Sequence, residues 1–358
     1  MSILEIIVVI LNIIFCIPSV ASATKFDYWW IRGFDFPRIQ ISVLIIFNII
    51  LATVVYDFTE NWHFFILFAL AASLLYQLYL IFPYTPVAKK QTIQYVGDDN
   101  DDNLSILVSN VLMDNTGYQD LIDLVRFKDP DILLTLESDR KWEEKLAVLE
   151  LTYRHTVKIP LENLYGMHLY SKFPLKDIKV RYLIATDIPS IHGKLKLING
   201  QMVTIHCLHP RPPSPNESKT STNRDAELLL VGKEIDENDK LVLVFGDLND
   251  VAWSRTTKLF QKMSGLMDPR RGRGFFNTYN ANHKLLRWPL DHVFHSDDFT
   301  LVAMERERNI GSDHFPMYIK LNYAPKATNS QDDLEASKEE KEWAEDKIDA
   351  ADPNQREI

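Results

Sequence analysis

Three long apolar stretches, all before Lys89, constrain this chain more than any other feature. They read "ILEIIVVILNIIFCIPSVA", "ISVLIIFNIILATVVY" and "FFILFALAASLLYQLYLIF". No Lys or Arg occurs before Lys25, and none between Arg38 and Lys89. Each stretch approaches the roughly 20 apolar residues that cross a bilayer as a helix. Tyr28, Trp29, Trp30, Trp62 and Tyr84 sit near the ends, where aromatic rings prefer the membrane–water interface. Residues 1–88 are therefore expected to be a membrane region of three transmembrane helices, an integral contact with the lipid bilayer.

Charge sets the expected orientation. Lys25, Arg32 and Arg38 lie in the first connection, and Lys89 and Lys90 follow the third helix. The second connection, "DFTENW", carries no positive charge. The positive-inside rule then puts the first connection and everything after Lys89 in the cytoplasm. A competing reading takes "VASA", ending at Ala23, as a signal-peptide cleavage site, which would reverse the side; the lack of positive charge before it counts against this.

Residues 89–103 read as a polar linker. Residues 325–358 read as an acidic, disordered or marginally helical tail. From Lys326 onward the net charge is −6, out of −10 for the whole chain, so the body is only mildly acidic. It lacks the global basic field of a protein that grips nucleic acid by charge. "RRGRG", Arg270 to Gly274, is a local exception, and Arg271 is its candidate for holding a substrate phosphate. The two cysteines, Cys16 and Cys207, have neither disulfide-framework nor metal-site spacing.

Between 104 and 324, strand-like runs alternate with amphipathic segments, which predicts an α/β fold with antiparallel pairing in at least one sheet. Polar groups recur where the strands end. Asn110 closes "LSILVSN" and Glu137 closes "DILLTLE". "IHCLHPRPP" supplies His206 and His209, "LVLVFGDLND" supplies Asp247 and Asn249, "PLDHVF" supplies Asp291, and "GSDHFP" supplies Asp313 and His314. A lone strand-end carboxylate is usually a solvated charge, but core packing does not demand the repetition. Carboxylate and amide oxygens without thiolate suit a hard cation, Mg2+ or Mn2+. A histidine paired with a carboxylate suits proton transfer or charge stabilisation.

This ordered set resembles the endonuclease/exonuclease/phosphatase superfamily, in a bacterial membrane-anchored branch. The resemblance spans about residues 104–322, and "GDLND" and "SDHFP" carry it most specifically. It implies a four-layer α/β/β/α sandwich, preceded here by about three transmembrane helices, and a bacterial inner-membrane location. It implies Glu137, Asp313 and Asn110 at a metal; Asp247 and Asn249 orienting water and phosphate; Asp291 and His314 as a coupled pair at the scissile phosphate; and His209 on the phosphate. His209 is preferred to His206 because it lies where the chain leaves the strand. The implied function is Mg2+-dependent hydrolysis of a phosphoester substrate. Nucleic acid is the first choice, and a phospholipid or small phosphoester the alternative. A non-catalytic membrane scaffold binding a phosphorylated ligand is the third reading, and the filled metal and histidine positions oppose it.

Overall fold

The computed structural model describes residues 2–235, 241–325 and 334–352. Helix α1 (Ile3–Ala23) leads through a short α2 (Trp29–Arg32) to α3 (Arg38–Val55) and α4 (Asn61–Ile81). Three helices are long and apolar enough to cross a membrane, and they begin at Ile3, Arg38 and Asn61. Their polarity is inverted relative to a soluble bundle. Ile3, Phe47, Phe65 and Phe68 point outward, exposed, while Asn12 Nδ2 donates to the Tyr56 hydroxyl (2.8 Å) and Gln77 Nε2 to Ser19 Oγ (3.0 Å) inside. That is the arrangement expected when the surrounding solvent is hydrocarbon and only the interior can satisfy polar groups.

From there the chain runs β1 (Asn103–Asn110), α5 (Tyr118–Lys128), β2 (Ile132–Leu136), α6 (Arg140–Leu146), β3 (His155–Ile159), β4 (Met167–Ser171), β5 (Leu175–Arg181), β6 (Ser190–Lys196), β7 (Met202–Leu208), α7 (Thr222–Glu234), β8 (Val242–Asp247), α8 (Arg255–Ser264), β9 (Asp291–His295), β10 (Phe299–Arg306) and β11 (Met317–Tyr323), and α9 (Lys338–Asp349) follows. The strands form two mixed sheets, ordered β10-β11-β1-β2-β4-β3 and β5-β6-β7-β8-β9. Alternating residues of each buried strand serve two cores. Ile106, Val108, Leu134, Ile205, Leu243 and Phe245 meet between the sheets. Leu107, Leu133 and Tyr170 face α5 and α6 on one outer side, and Val242, Val244 and Phe294 face α7 and α8 on the other. The result is the four-layer α/β/β/α sandwich.

Two segments differ from the sequence reading. Residues 89–103 are not a free linker. Leu301 donates its N–H to Ile93 (2.9 Å), Tyr95 donates to the Leu301 carbonyl (2.8 Å), and buried Thr92 lies 2.9 Å from His295 Nε2. The segment thus covers backbone groups on the outer side of β10, the edge strand that pairs with β11 on its other side. The acidic tail, expected to be disordered or marginally helical, contains α9. Ser337 and Glu340 cap it with reciprocal hydrogen bonds, and Ala344, Trp343 and Ile348 pack on Leu229 and Leu259. Its apolar positions are too few to show in composition, yet they fall on one helical face. Residues 326–333 and 353–358 of that tail lie outside the described residues.

Candidate active site

Strand register brings the strand-end groups together. β1 and β2 run parallel with Asn110 beside Leu136, so Asn110 and Glu137 emerge side by side. Asn110 Nδ2 donates to Glu137 Oε1 (2.8 Å) and lies 3.2 Å from Asp247 Oδ2 in the other sheet. In the second sheet β8 and β9 are antiparallel, and Asp247 sits directly opposite Asp291. Two like charges so placed repel. His314 relieves this: its Nδ1 lies 2.8 Å from Asp291 Oδ2 and its Nε2 lies 3.5 Å from Asp247 Oδ2. His209 approaches the same carboxylate, with Nε2 3.9 Å from Asp247 Oδ2.

The turns carrying these groups are specialised. Gly246 adopts φ +147°, and a Cβ there would lie 2.0 Å from the Leu208 carbonyl oxygen of the adjacent strand. Glu137 and Asn249 adopt positive φ, +59° and +50°, an uncommon conformation for residues with a Cβ. Asn249 donates its N–H to Asp247 Oδ1 (2.9 Å) and its side-chain amide to the Pro210 carbonyl (3.0 Å). Asn249 thereby ties the segment after β8 to the one after β7.

Burial and charge set the protonation states. Burial pushes Glu137 up to about 7, with Asp313 and Asp247 adding to it against the opposing effects of Asn110 and His314. Burial also raises Asp247. For His314, burial disfavours the charge, but Asp291 and Asp247 outweigh it and lift the imidazole to about 10. Burial holds His209 down near 4, so it is neutral at pH 7. The site thus contains an imidazolium between two carboxylates and a second, neutral imidazole.

Asp247, Asp291 and His314 also offer ligand atoms within 4.8 Å of one another, as a metal would require. Asp291 Oδ2 and His314 Nδ1 are engaged with each other, which suits a proton-handling cluster, while Asp291 Oδ1 is buried with no hydrogen-bond partner among the described residues. Glu137 is different. It is half-buried near other carboxylates, and among the described residues its hydrogen-bond partner is an amide and not a cation. Hard oxygens with excess negative charge would suit a divalent cation at Glu137 and Asp313, whereas Asn110 presents its Nδ2 to Glu137 and its Oδ1 accepts the Leu112 N–H (3.1 Å).

Other placements depart from the sequence reading. Arg271 is not at this cluster: its guanidinium packs over the Tyr84 ring (6.0 Å) and its Nη1 lies 3.5 Å from Gln261 Oε1. Arg270 is buried on Asp268 (2.7 Å), and Arg273 donates to the Thr92 carbonyl (2.7 Å). The basic run is consumed by structure, because it lies against α8, the segment that follows α4, and the docked connector. His206 pairs with His192 inside the second sheet (Nδ1 to Nδ1, 2.7 Å).

Several participants went unnoticed in the sequence. Ser312 Oγ donates to the Asn110 carbonyl (2.8 Å) and accepts the His314 N–H (3.0 Å). Thr278 Oγ1 accepts the N–H of Asp291 (3.2 Å). The rings of Tyr279 and Tyr165 lie 4.9 Å from His314 and 5.3 Å from His209. Only Ser312, inside "GSDHFP", had a motif to point to it.

Comparison with known proteins places this geometry. D. rerio TDP2 complexed with single strand DNA product aligns at 17% identity and TM-score 0.50, covering 62% of this chain and 99% of that one. The human Nocturnin catalytic domain with bound sulfate anion aligns at 18% and 0.51, covering 63% and 97%. At such identities the likeness is one of fold. No curated protein matches the sequence. A family model matches residues 107–314, more than half the chain and all of the strand-end cluster from Asn110 to His314. The chain belongs to the Endonuclease/Exonuclease/phosphatase family.

Proposed function

We propose that this protein is a membrane-anchored, Mg2+- or Mn2+-dependent phosphoesterase, with nucleic acid the first substrate class to test. The observation that carries this reading is His314 held between Asp291 and Asp247, beside the Asn110–Glu137 pair. A divalent ion bound at Glu137 would polarise the phosphoryl oxygens and stabilise the leaving oxygen. Asp247, oriented by the Asn249 N–H, takes the proton of the attacking water as the water oxygen bonds to phosphorus. The ester P–O bond breaks as that bond forms, and the leaving oxygen takes a proton from solvent. Asp291 keeps His314 protonated and aimed, so that its charge meets the negative charge developing on phosphate. His209, neutral, contributes a further hydrogen bond at the phosphate.

The D. rerio relative was solved with a DNA product, which motivates putting nucleic acid first. Membrane spans would hold the domain beside lipid, which makes phospholipid the second class. The test uses the full chain in detergent with plasmid DNA, RNA, phospholipid and bis(p-nitrophenyl) phosphate, with Mg2+ or EDTA and a Glu137→Ala control. EDTA-sensitive hydrolysis lost in the variant is expected. Its absence across the panel would leave a non-catalytic scaffold. Carbonate-resistant sedimentation tests the anchor, and protease accessibility tests the cytoplasmic side expected from charge.

A further inference from the structure

A second concavity of about 450 Å3 lies where the helical bundle meets the catalytic domain. Its walls come from the C-terminal ends of α1 and α4, the N-terminal ends of α3 and α9, and the face of α8. It shares no lining residue with the Asp247 cluster. Six basic side chains line it: Lys25, Arg32, Arg38, Arg255, Lys258 and Lys262.

The carboxylates in the lining are already engaged or turned to water. Asp35 accepts from Ser22 Oγ (2.6 Å) and Arg32 Nη1 (3.2 Å) and also pairs with Arg38. Glu340 holds Lys262 (2.7 Å), and exposed Glu339 accepts from Ser337. Among the described residues, Arg255 and Lys258 have no carboxylate partner. Arg255 Nη2 donates to the Ala23 carbonyl (2.9 Å), while its Nη1 is buried without an acceptor. The Nε atoms of Arg32 and Arg38 are in the same condition. Among the described residues, the Lys258 ammonium meets the face of Tyr79 (5.7 Å) and no hydrogen-bond partner. Burial, then Arg38, Arg271 and Lys262, push that ammonium down to about 8. Uncompensated donors at a shared cavity call for an anion.

Position identifies the kind of anion. All three span ends on this side contribute to the rim, and Tyr79 in the lining is exposed. At that depth a phosphate diester can enter the basic cavity while its acyl chains lie along apolar helix faces. We propose that this cavity binds the phosphate headgroup of an anionic membrane lipid, with Arg255 and Lys258 as its main contacts, and so seats the catalytic domain on the bilayer. Trp253, on the segment that follows Asp247, donates its indole N–H to the Asp35 carbonyl (2.6 Å), so the seat also bears on the catalytic loop. The inference rests on the membrane reading above, and not on the hydrolytic one.

The test is thermal unfolding of the full chain in neutral detergent, titrated with phosphatidylglycerol, phosphatidylcholine or inorganic phosphate. Phosphatidylglycerol is expected to raise Tm by about 5 °C near saturation, with no rise from phosphatidylcholine. The Arg255→Gln/Lys258→Gln double variant should lose that rise. An equal rise with phosphatidylcholine, or an undiminished rise in the variant, overturns the proposal. An equal rise with inorganic phosphate overturns the lipid assignment in favour of a free anion. Should the double variant not fold, Lys258→Gln alone and native mass spectrometry of the wild type decide; wild-type protein that retains no phosphatidylglycerol sinks the idea. Loss of the membrane reading would show separately, as carbonate extraction, and an inactive enzyme would leave this measurement intact.

Discussion

His314 Nδ1 lies 2.8 Å from Asp291 Oδ2, and this contact joins the last motif of the family domain to a carboxylate facing Asp247 across a strand pair. The contact holds the imidazole charged and fixes its angle. Asp291→Asn is therefore expected to lower kcat by about 10²–10⁴-fold with little change in KM. Steady-state hydrolysis of bis(p-nitrophenyl) phosphate, with circular dichroism as the folding control, measures it. Near-normal kcat would remove His314 from the chemistry.

Glu137 is a half-buried carboxylate crowded by others, so a cation should stabilise it and its removal should not harm the apo-protein. In Glu137→Gln, Tm in EDTA is expected to equal or exceed the wild-type value. The rise in Tm that Mg2+ gives the wild type should vanish. A variant that still responds fully to Mg2+ would move the metal elsewhere.

Gly246 has no room for a methyl group and adopts φ +147°. Gly246→Ala should lower Tm by about 5 °C or more, since either the backbone of β7 or the Asp247 turn must shift. An unchanged Tm with full activity would show that the close approach to Leu208 relaxes at no cost.

Stability should fall on mild acidification. Burial lowers both His168 and His192 to about 3, whereas in the unfolded chain they titrate near 6.5. Between these values the unfolded state binds more protons, so stability is fully present above pH 6.5 and is lost as pH falls toward 3. The slope is about 1.4 kcal/mol per pH unit for each histidine once below 6.5. Tm measured from pH 7.5 to 5 should drop, and a His168→Leu variant should show a shallower drop. Equal slopes would acquit His168.

Truncation after Pro325 removes α9 with its packing on Leu229 and Leu259 and its ion pair from Glu340 to Lys262 (2.7 Å). The expected result is a Tm lower by a few degrees, about 1–2 kcal/mol of lost packing. A truncated chain as stable as the full one would show that the docked helix contributes nothing.

What the sequence determined by itself was local. Apolar windows without Lys or Arg announce three helices long and apolar enough to cross a membrane, because hydrocarbon tolerates few charges along some 20 residues. Strands such as 241–247 announce themselves by unbroken apolar runs, and their ends by the polar residues that stop them. Tertiary structure decided what depends on strand register and on the meeting of two sheets. It set Asp247 opposite Asp291, closed His314 onto both, and put His209 within reach of Asp247 while His206 turned to His192. It withdrew Arg271 to Tyr84, docked the connector and α9, and enclosed the basic cavity. None of these pairings has a local signature, because each joins residues whose separation along the chain is unrelated to their distance in the packed layers.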